Sequence, residues 1–108
     1  MASYSETLVQ RREVGVGEAG ESIDLGAYCS VGGQMIVHVA GSGGSITLEH
    51  SATSRDSGFT TLGSTLTLTT TANNVQHHTN FLRYVRWLAD DSVAGNPIVS
   101  IHIIAKEY

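Results

Sequence analysis

Short stretches in which apolar and polar residues alternate recur along the whole chain. A period of two places successive side chains on opposite faces of a β-strand, so each stretch predicts a strand with one face in a core. The stretches are residues 34–40, 46–49, 65–71, 82–89 and 98–106. The predicted core is the inward set Val37, Val39, Ile46, Leu48, Leu66, Leu68, Val85, Trp87, Val99, Ile101 and Ile103.

The segments between these stretches are rich in turn-forming residues and define the predicted fold. The glycine-rich residues 41–44 predict a connection that pairs the two flanking strands as an antiparallel hairpin. The polar residues 72–80 predict a loop, and further short strands are predicted at residues 22–25 and after Phe59. About eight strands without a helix predict a single all-β domain, an antiparallel β-sandwich that is jelly-roll-like.

Residues 1–17 differ from the rest of the chain because their apolar residues are sparse and separated by charged ones. We interpret them equally as an extended N-terminal arm or as a first strand, before a sandwich domain of residues 18–108. If they form an arm, a chain that lacks residues 1–10 should still fold but should no longer bind its assembly. The residues predicted to contact a partner or another subunit are Tyr4, Leu8, Arg11, Arg12, Tyr84 and Arg86.

Charge and cysteine usage exclude several classes of partner. The chain of 108 residues has a formal net charge of −4 and only six lysines and arginines, too few to neutralise a nucleic-acid backbone. The polar start predicts no signal peptide, and no apolar run is long enough to span a membrane. The single cysteine, Cys29, cannot form an intrachain disulfide, and we expect it to be a small buried side chain.

No motif predicts an enzyme, a metal site or a cofactor. The five histidines include the adjacent pair His77 and His78, which could share an ion only from a loop. We expect them instead to meet solvent or another subunit, and alternation would also allow His38 and His102 to pair across strands. A nucleophile-elbow motif is absent from the sequence, so we expect no catalytic residues.

The strand at residues 82–89 distinguishes two kinds of binding protein. Alternation places Val85 and Trp87 on one face, and Tyr84 and Arg86 on the other. We expect Trp87 to be in the core, because large aromatic side chains dominate burial in small domains. A buried Trp87 with an apolar subunit face favours assembly, whereas an exposed Trp87 beside polar groups favours a carbohydrate platform.

The later part of the sequence, residues 46–108, resembles two groups of proteins. The residues that carry the resemblance are Ile46-Thr47-Leu48-Glu49, Asp56-Ser57-Gly58-Phe59-Thr60-Thr61-Leu62 and Leu82-Arg83-Tyr84-Val85-Arg86-Trp87. This pattern resembles the core of discoidin-type galactose-binding sandwiches. It is also similar to small virion proteins of tailed phages, notably head decoration (cement) proteins, which require neither a leader nor a disulfide.

The similarity to cement proteins implies a virion structural protein without enzymatic activity. Such a protein would form a homotrimer on the capsid surface, bind the major capsid protein and bridge its subunits, after assembly in the host cytoplasm. The similarity to discoidin-type sandwiches implies the alternative, a carbohydrate-binding or host-attachment module of a phage tail or fibre.

Overall fold

The computed structural model describes residues 4–26, 28–53 and 55–107, which form eight strands and one short 3-10 helix at Asp56–Gly58. The strands are β1 (Tyr4–Glu13), β2 (Ile23–Asp24), β3 (Ser30–Val39), β4 (Ser45–Ser51), β5 (Thr60–Thr67), β6 (Ala72–His78), β7 (Tyr84–Ala89) and β8 (Ile98–Lys106). The predicted all-β architecture is confirmed.

The strands form two four-stranded sheets that pack face to face. The first sheet has the order β1-β8-β3-β6 and the second the order β2-β7-β4-β5. Every neighbouring pair is antiparallel. Successive strands of the chain alternate between the sheets except at β4 and β5, and this order is that of a jelly roll.

The core lies between the sheets and contains the predicted residues with one exception. Trp87 and Met35 are among its largest fully buried side chains. The sheets approach closely at Gly33, where a Cβ atom would lie 2.8 Å from the Leu48 Cδ1 atom of the opposite sheet. The buried predicted residues are Val37, Ile46, Leu48, Leu66, Leu68, Val85, Trp87, Val99, Ile101 and Ile103.

Val39 is the exception, because its side chain is 51% exposed. The pairing of β3 with β8 shifts register between Val37 and Val39, as in a β-bulge. A bulge inserts an extra residue and turns the following side chain to the opposite face. The alternation of the sequence continues through this point without a break, so the sequence did not predict the reversal.

The predicted hairpin of residues 34–40 and 46–49 is wrong. β3 belongs to the first sheet and β4 to the second, so residues 41–44 cross between the sheets rather than join paired strands. The crossing is held by backbone hydrogen bonds from the Gly41 N–H to the Leu68 oxygen and from the Ser42 N–H to the Ala94 oxygen, both 2.8 Å.

The region between residues 60 and 80 also differs from the prediction. The strand expected at residues 65–71 ends at Thr67, and Leu68 is buried just beyond it. The expected polar loop at residues 72–80 contains β6, which is the edge strand of the first sheet. Cys29, which was expected to be buried, is exposed in the connection between β2 and β3.

The N-terminal segment forms strand β1 at the other edge of the first sheet. Its residues pair with β8 from Tyr4 opposite Lys106 to Glu13 opposite Ile98, so the strand is integral to the sheet. We therefore no longer expect a chain that lacks residues 1–10 to keep the intact fold, since the deletion removes most of one strand.

Candidate functional site

The outer surface of the first sheet is the strongest candidate for a functional site, and we call it the open face. Its side chains alternate with buried residues such as Met35 and Ile101. Register places Leu8 beside His102, His102 beside Gln34, and Gln34 beside Val75, so one row crosses all four strands. A parallel row contains Glu6, Ile104, Gly32 and His77.

Exposed aliphatic side chains are concentrated on this face. Leu8 is 53% exposed, Val39 51% and Val75 72%, and each comes from a different strand. The other large hydrophobic side chains found exposed among the described residues are Val16 and Leu82, which lie in connections. Exposed apolar residues grouped on a regular sheet are typical of an interaction surface.

A shallow groove of about 480 Å³ crosses the middle of the open face. Gly32 lies at its centre, between His77 of β6 and Ile104 of β8. A Cβ atom at Gly32 would come no closer than 3.8 Å to the Gln76 backbone oxygen, so packing leaves space for a side chain there. The absence of a side chain at Gly32 therefore opens the groove, and packing alone does not require a glycine at this position.

The polar side chains of the open face bond to one another along the sheet. The Gln34 Nε2 atom donates to the Asn73 Oδ1 atom at 3.1 Å. The His102 Nε2 atom lies 2.8 Å from the Glu6 Oε2 atom, and the His38 Nε2 atom lies 2.8 Å from the Ser100 Oγ atom. His38 and His102 do not pair across strands, because register places Gln34 opposite His102.

Arg11 lies at a bulge in β1, beside the open face. The pairing with β8 shifts register between Val9 and Arg12, and Arg11 has a φ of 41°. The left-handed region costs a residue with a side chain roughly 1–2 kcal/mol. The Arg11 N–H donates to the Ser100 Oγ atom at 3.0 Å, so the backbone is anchored while the residue remains exposed.

Arg12 is committed to contacts within the chain, unlike its neighbour. Its Nη2 atom lies 2.7 Å from the Glu18 Oε2 atom, and its guanidinium lies 5.9 Å from the centre of the Trp87 ring. Burial raises the pKa of Glu18, but hydrogen bonds from the Gly15 N–H and Arg12, with the Arg12 charge, outweigh it and lower the pKa below its ordinary value.

The outer surface of the second sheet is different, and we call it the covered face. The Arg86 Nε atom lies 3.1 Å from the Glu49 Oε1 atom, and these side chains are only 11% and 12% exposed. Phe59, from the connection between β4 and β5, lies over the Arg86 guanidinium at 4.1 Å from the ring centre. Arg86 was predicted to contact a partner, but its own chain encloses it.

The predicted contact residues therefore do not form one surface. Leu8 and Arg11 lie on or beside the open face, whereas Tyr84 and Arg86 lie on the second sheet, where Arg83 covers the Tyr84 ring at 5.3 Å. Tyr4 begins β1, and its side chain lies outside the described part of the structure.

Arg83 also pairs with Asp24 at the end of the covered face. Its Nε and Nη2 atoms each lie 3.0 Å from an Asp24 carboxylate oxygen. The Arg83 hydrogen bond is the largest cause of a lowered Asp24 pKa, and the Gly26 N–H and the Arg83 charge add to it. The same hydrogen bond raises the pKa of Arg83. The pair is exposed, so solvent weakens its contribution to stability.

Two histidines of β6 were predicted to lie in a loop, but they point to opposite faces of the first sheet. His77 lines the groove, whereas His78 faces inward beside Gln76, whose Oε1 atom lies 2.9 Å from the His78 Nε2 atom. Burial lowers the pKa of His78, and the nearby His77 and His50 lower it further. Among the described residues no group of His, Cys, Asp or Glu side chains is arranged to hold a metal ion.

The sequence did not identify Val75, His77 or the Gly32 groove as parts of one site. Ala72–His78 carries polar residues on both faces, so its alternation is hidden from a hydrophobicity pattern. The inward Gln76 is buried and uses its Nε2 atom to donate to the Ser64 backbone oxygen at 2.7 Å. A signal remained in the β-branched Val75 between polar residues, but it was weak.

No protein-family model matches the chain, and no curated protein matches its sequence. In the part of the chain that the structure describes, no helix is long and apolar enough to cross a membrane. The chain is similar in fold to several solved structures. Each of those compared below is less than a fifth identical to it.

The SPBc2 prophage-derived protein YomS is 15% identical with a TM-score of 0.53, and the match covers 96% of each chain. A structure from Bacillus endospore appendages, which form disulfide-linked pili, is 11% identical with a TM-score of 0.50, over 95% of this chain and 85% of that one. PirA is 11% identical with a TM-score of 0.51, over 98% and 94%. The comparisons show a common β-sandwich fold.

Proposed function

We propose that this protein is a non-enzymatic structural subunit of a phage particle, and specifically a capsid decoration protein. In this role it stabilises the phage head by bridging subunits of the major capsid protein. The observation that carries the proposal is the group of exposed aliphatic side chains, Leu8, Val39 and Val75, on an ordered sheet.

The open face has the chemistry of a docking surface. Burial of apolar area contributes about 25 cal/mol per Å², so covering these three side chains favours association. The groove at Gly32 admits a protruding side chain, and Arg11 at the rim supplies a positive charge for a carboxylate on the partner. The face thus combines apolar contact with a polar rim.

The buried Trp87 supports assembly over carbohydrate binding. Its side chain is 1% exposed, so it provides no platform for a sugar ring. The aromatic side chain of Tyr84 is half-buried beside Arg83. Neither aromatic residue favours the alternative, an attachment module of a tail or fibre.

The solved structures support the coarser part of the proposal. YomS is prophage-derived, and the Bacillus endospore appendages are surface filaments, so related folds occur in phage and in extracellular assemblies. We propose that this chain is located on the virion, where it docks to the capsid surface after assembly in the host cytoplasm. The expected oligomer is a homotrimer at a capsid symmetry axis.

Sedimentation with empty heads tests this function. The protein is mixed with empty heads, free of decoration protein, from the phage whose genome encodes it. We expect saturable co-sedimentation, which Leu8→Ser weakens at least about tenfold if the leucine is central to the contact. The matched control is Val16→Ser, since Val16 is 64% exposed but lies in the connection between β1 and β2.

Two results would contradict the proposal. Heads that pellet without the protein at saturating concentration would show that it does not decorate capsids. Equal binding by the Leu8→Ser and Val16→Ser variants would show that the open face is not the docking surface. Specific binding on a glycan array, without binding to heads, would favour the attachment module instead.

A further inference from the structure

The four edge strands of the sandwich are protected to very different degrees. An exposed edge presents unpaired backbone groups to other chains, and proteins usually block it with a bulge, a charged residue or a very short strand. β1 has the bulge at Arg11, and β2 is only two residues long. β5 shifts register opposite Thr47 and Leu48 and contains Gly63 at a φ of 79°.

β6 has none of these protections. All seven of its residues pair in continuous register with Val31–Val37 of β3, without a bulge. Its sequence, ANNVQHH, contains no proline and no lysine, arginine, aspartate or glutamate. Within the described residues no strand lies on its other side. Alternate residues of such a strand direct their N–H and C=O groups toward the open side.

The inward side chains hold β6 in an extended conformation. The Gln76 Nε2 atom donates to the Asn74 Oδ1 atom at 2.8 Å as well as to the Ser64 backbone oxygen. The Asn74 Nδ2 atom donates to the Ser64 Oγ atom at 3.3 Å. These bonds join the strand to β5 through side chains, so its conformation is fixed before a partner arrives, which lowers the entropy cost of pairing.

We propose that β6 pairs in antiparallel orientation with β6 of a second copy of this chain, about a two-fold axis at Val75. This register places Val75 opposite Val75 of the second copy. Asn73 then lies opposite His77 of the second copy, and Asn74 lies opposite Gln76 of the second copy. Apolar contact at the centre is flanked by side chains that can hydrogen-bond, so the strand is complementary to itself.

The distribution of charge favours contact between two copies at this edge rather than at other parts of the surface. The chain carries a net charge of −4, so two copies repel each other in general. β6 carries no formal charge when its histidines are neutral, and the two strands can approach without opposing like charges. Pairing would place Val75, the most exposed of the large hydrophobic side chains in the described residues, against Val75 of the second copy and join two sheets into one of eight strands.

The two-fold contact goes beyond the proposed decoration function and does not depend on it. Each chain has one β6 edge, so pairing there produces even numbers of chains. Light scattering on the wild-type protein should give a dimer, or a hexamer if the proposed three-fold contact also forms. A monomer or a trimer at the highest soluble concentration would overturn the β6 contact, and a dimer that does not bind heads would overturn only the decoration function.

A charge at the axis should separate the copies. In Val75→Lys, two lysines lie directly opposite each other, and we expect the mass measured by light scattering to fall twofold. Val16→Lys is the matched control, since Val16 is an aliphatic residue 64% exposed in the connection between β1 and β2 and does not belong to β6. Circular dichroism should show that both variants remain folded. Loss of mass in the control but not in Val75→Lys would overturn the proposal.

Disulfide trapping tests the register directly and does not depend on the effect of a charge. Residues directly opposite each other in an antiparallel pair have Cβ atoms about 4.5–5.5 Å apart, close to the separation in a disulfide. Cys29 is first replaced by serine because it is exposed. Mild oxidation should then cross-link C29S/V75C into a dimer much faster than C29S/V16C. Equal rates for the two variants would contradict pairing at Val75.

Discussion

The open face and the covered face are outer surfaces of the same sandwich, but only the covered face has its side chains enclosed by contacts within the chain. On the covered face, Arg86 is paired with Glu49, and the ring of Phe59 from the same chain packs against its guanidinium. On the open face, Leu8 and Val75 have no such cover and remain more than half exposed. The chain therefore completes the covered face by itself, and the uncovered aliphatic side chains of the open face support our proposal that another molecule docks there.

The same contrast appears in the use of arginine. Arg86 needs its carboxylate partner, since a charge removed from water is costly unless it is paired. Arg11 is exposed, and its φ of 41° lies in the left-handed region, which is costly for a residue with a side chain. The covered face therefore pairs its buried charge within the chain, whereas the open face has an exposed arginine in a costly backbone conformation.

Removal of the Glu49 carboxylate should have the largest effect. Glu49→Ala removes the carboxylate that lies 3.1 Å from the Nε atom of Arg86, whose side chain is only 11% exposed. We expect the free energy of unfolding to fall by about 1.5–3 kcal/mol, the contribution of a hydrogen bond to a charged group. Urea denaturation followed by tryptophan fluorescence measures the change. A loss below about 0.5 kcal/mol, the level of an ordinary surface substitution, would show that the covered face is not a stabilising element.

A smaller effect on stability is expected when the pH is lowered, through His78 on the inward side of β6. Burial and the neighbouring His77 and His50 lower the pKa of His78 from 6.5, so the unfolded chain binds a proton more readily than the folded chain. The contribution of neutral His78 to the free energy of unfolding is present above pH 6.5, and it is lost as the pH falls through the lowered pKa of the folded protein. We therefore expect the melting temperature to decrease between about pH 7.5 and about pH 5.5.

His78→Gln identifies the source of this pH dependence. Glutamine does not titrate, and its amide can still donate to the Gln76 Oε1 atom that His78 contacts. We expect the melting temperature of this variant to change less over the same pH range than that of the wild type. An identical pH dependence in the two proteins would assign the effect to other groups.

The fold was predictable from the sequence where one face of a strand is apolar. Ile98–Lys106 was predicted with its observed bounds, because Val99, Ile101 and Ile103 alternate with more polar residues. The pairing of strands was not predictable in the same way. Residues 41–44 have the composition of a hairpin turn, yet long-range packing determines that they cross between the sheets.

The site was less predictable than the fold. Leu8 and Arg11 were identified from their position in the N-terminal segment, but Tyr84 and Arg86 were assigned to the same surface because alternation does not reveal which outer face a strand joins. Phe59 covers Arg86 through a loop contact, and no local pattern predicts such a contact. Because Ala72–His78 has polar residues on its inward face as well, the hydrophobicity pattern did not predict a strand there.

The smallest effect expected, and one of opposite sign, concerns Arg11. Glycine adopts a φ of 41° without the clash that a Cβ atom causes, and the backbone N–H can still donate to Ser100. Arg11→Gly should therefore stabilise the protein by up to about 1 kcal/mol, the lower end of the cost of this conformation. If the open face docks on the capsid, the same variant should bind empty heads more weakly, because the rim has lost its charge. Stability would then rise while binding to heads falls. Removal of the Glu49 carboxylate on the covered face should instead lower stability. An Arg11→Gly protein that is less stable than the wild type would show that the side chain contributes to the fold, and the contrast between the two faces would fail at this residue.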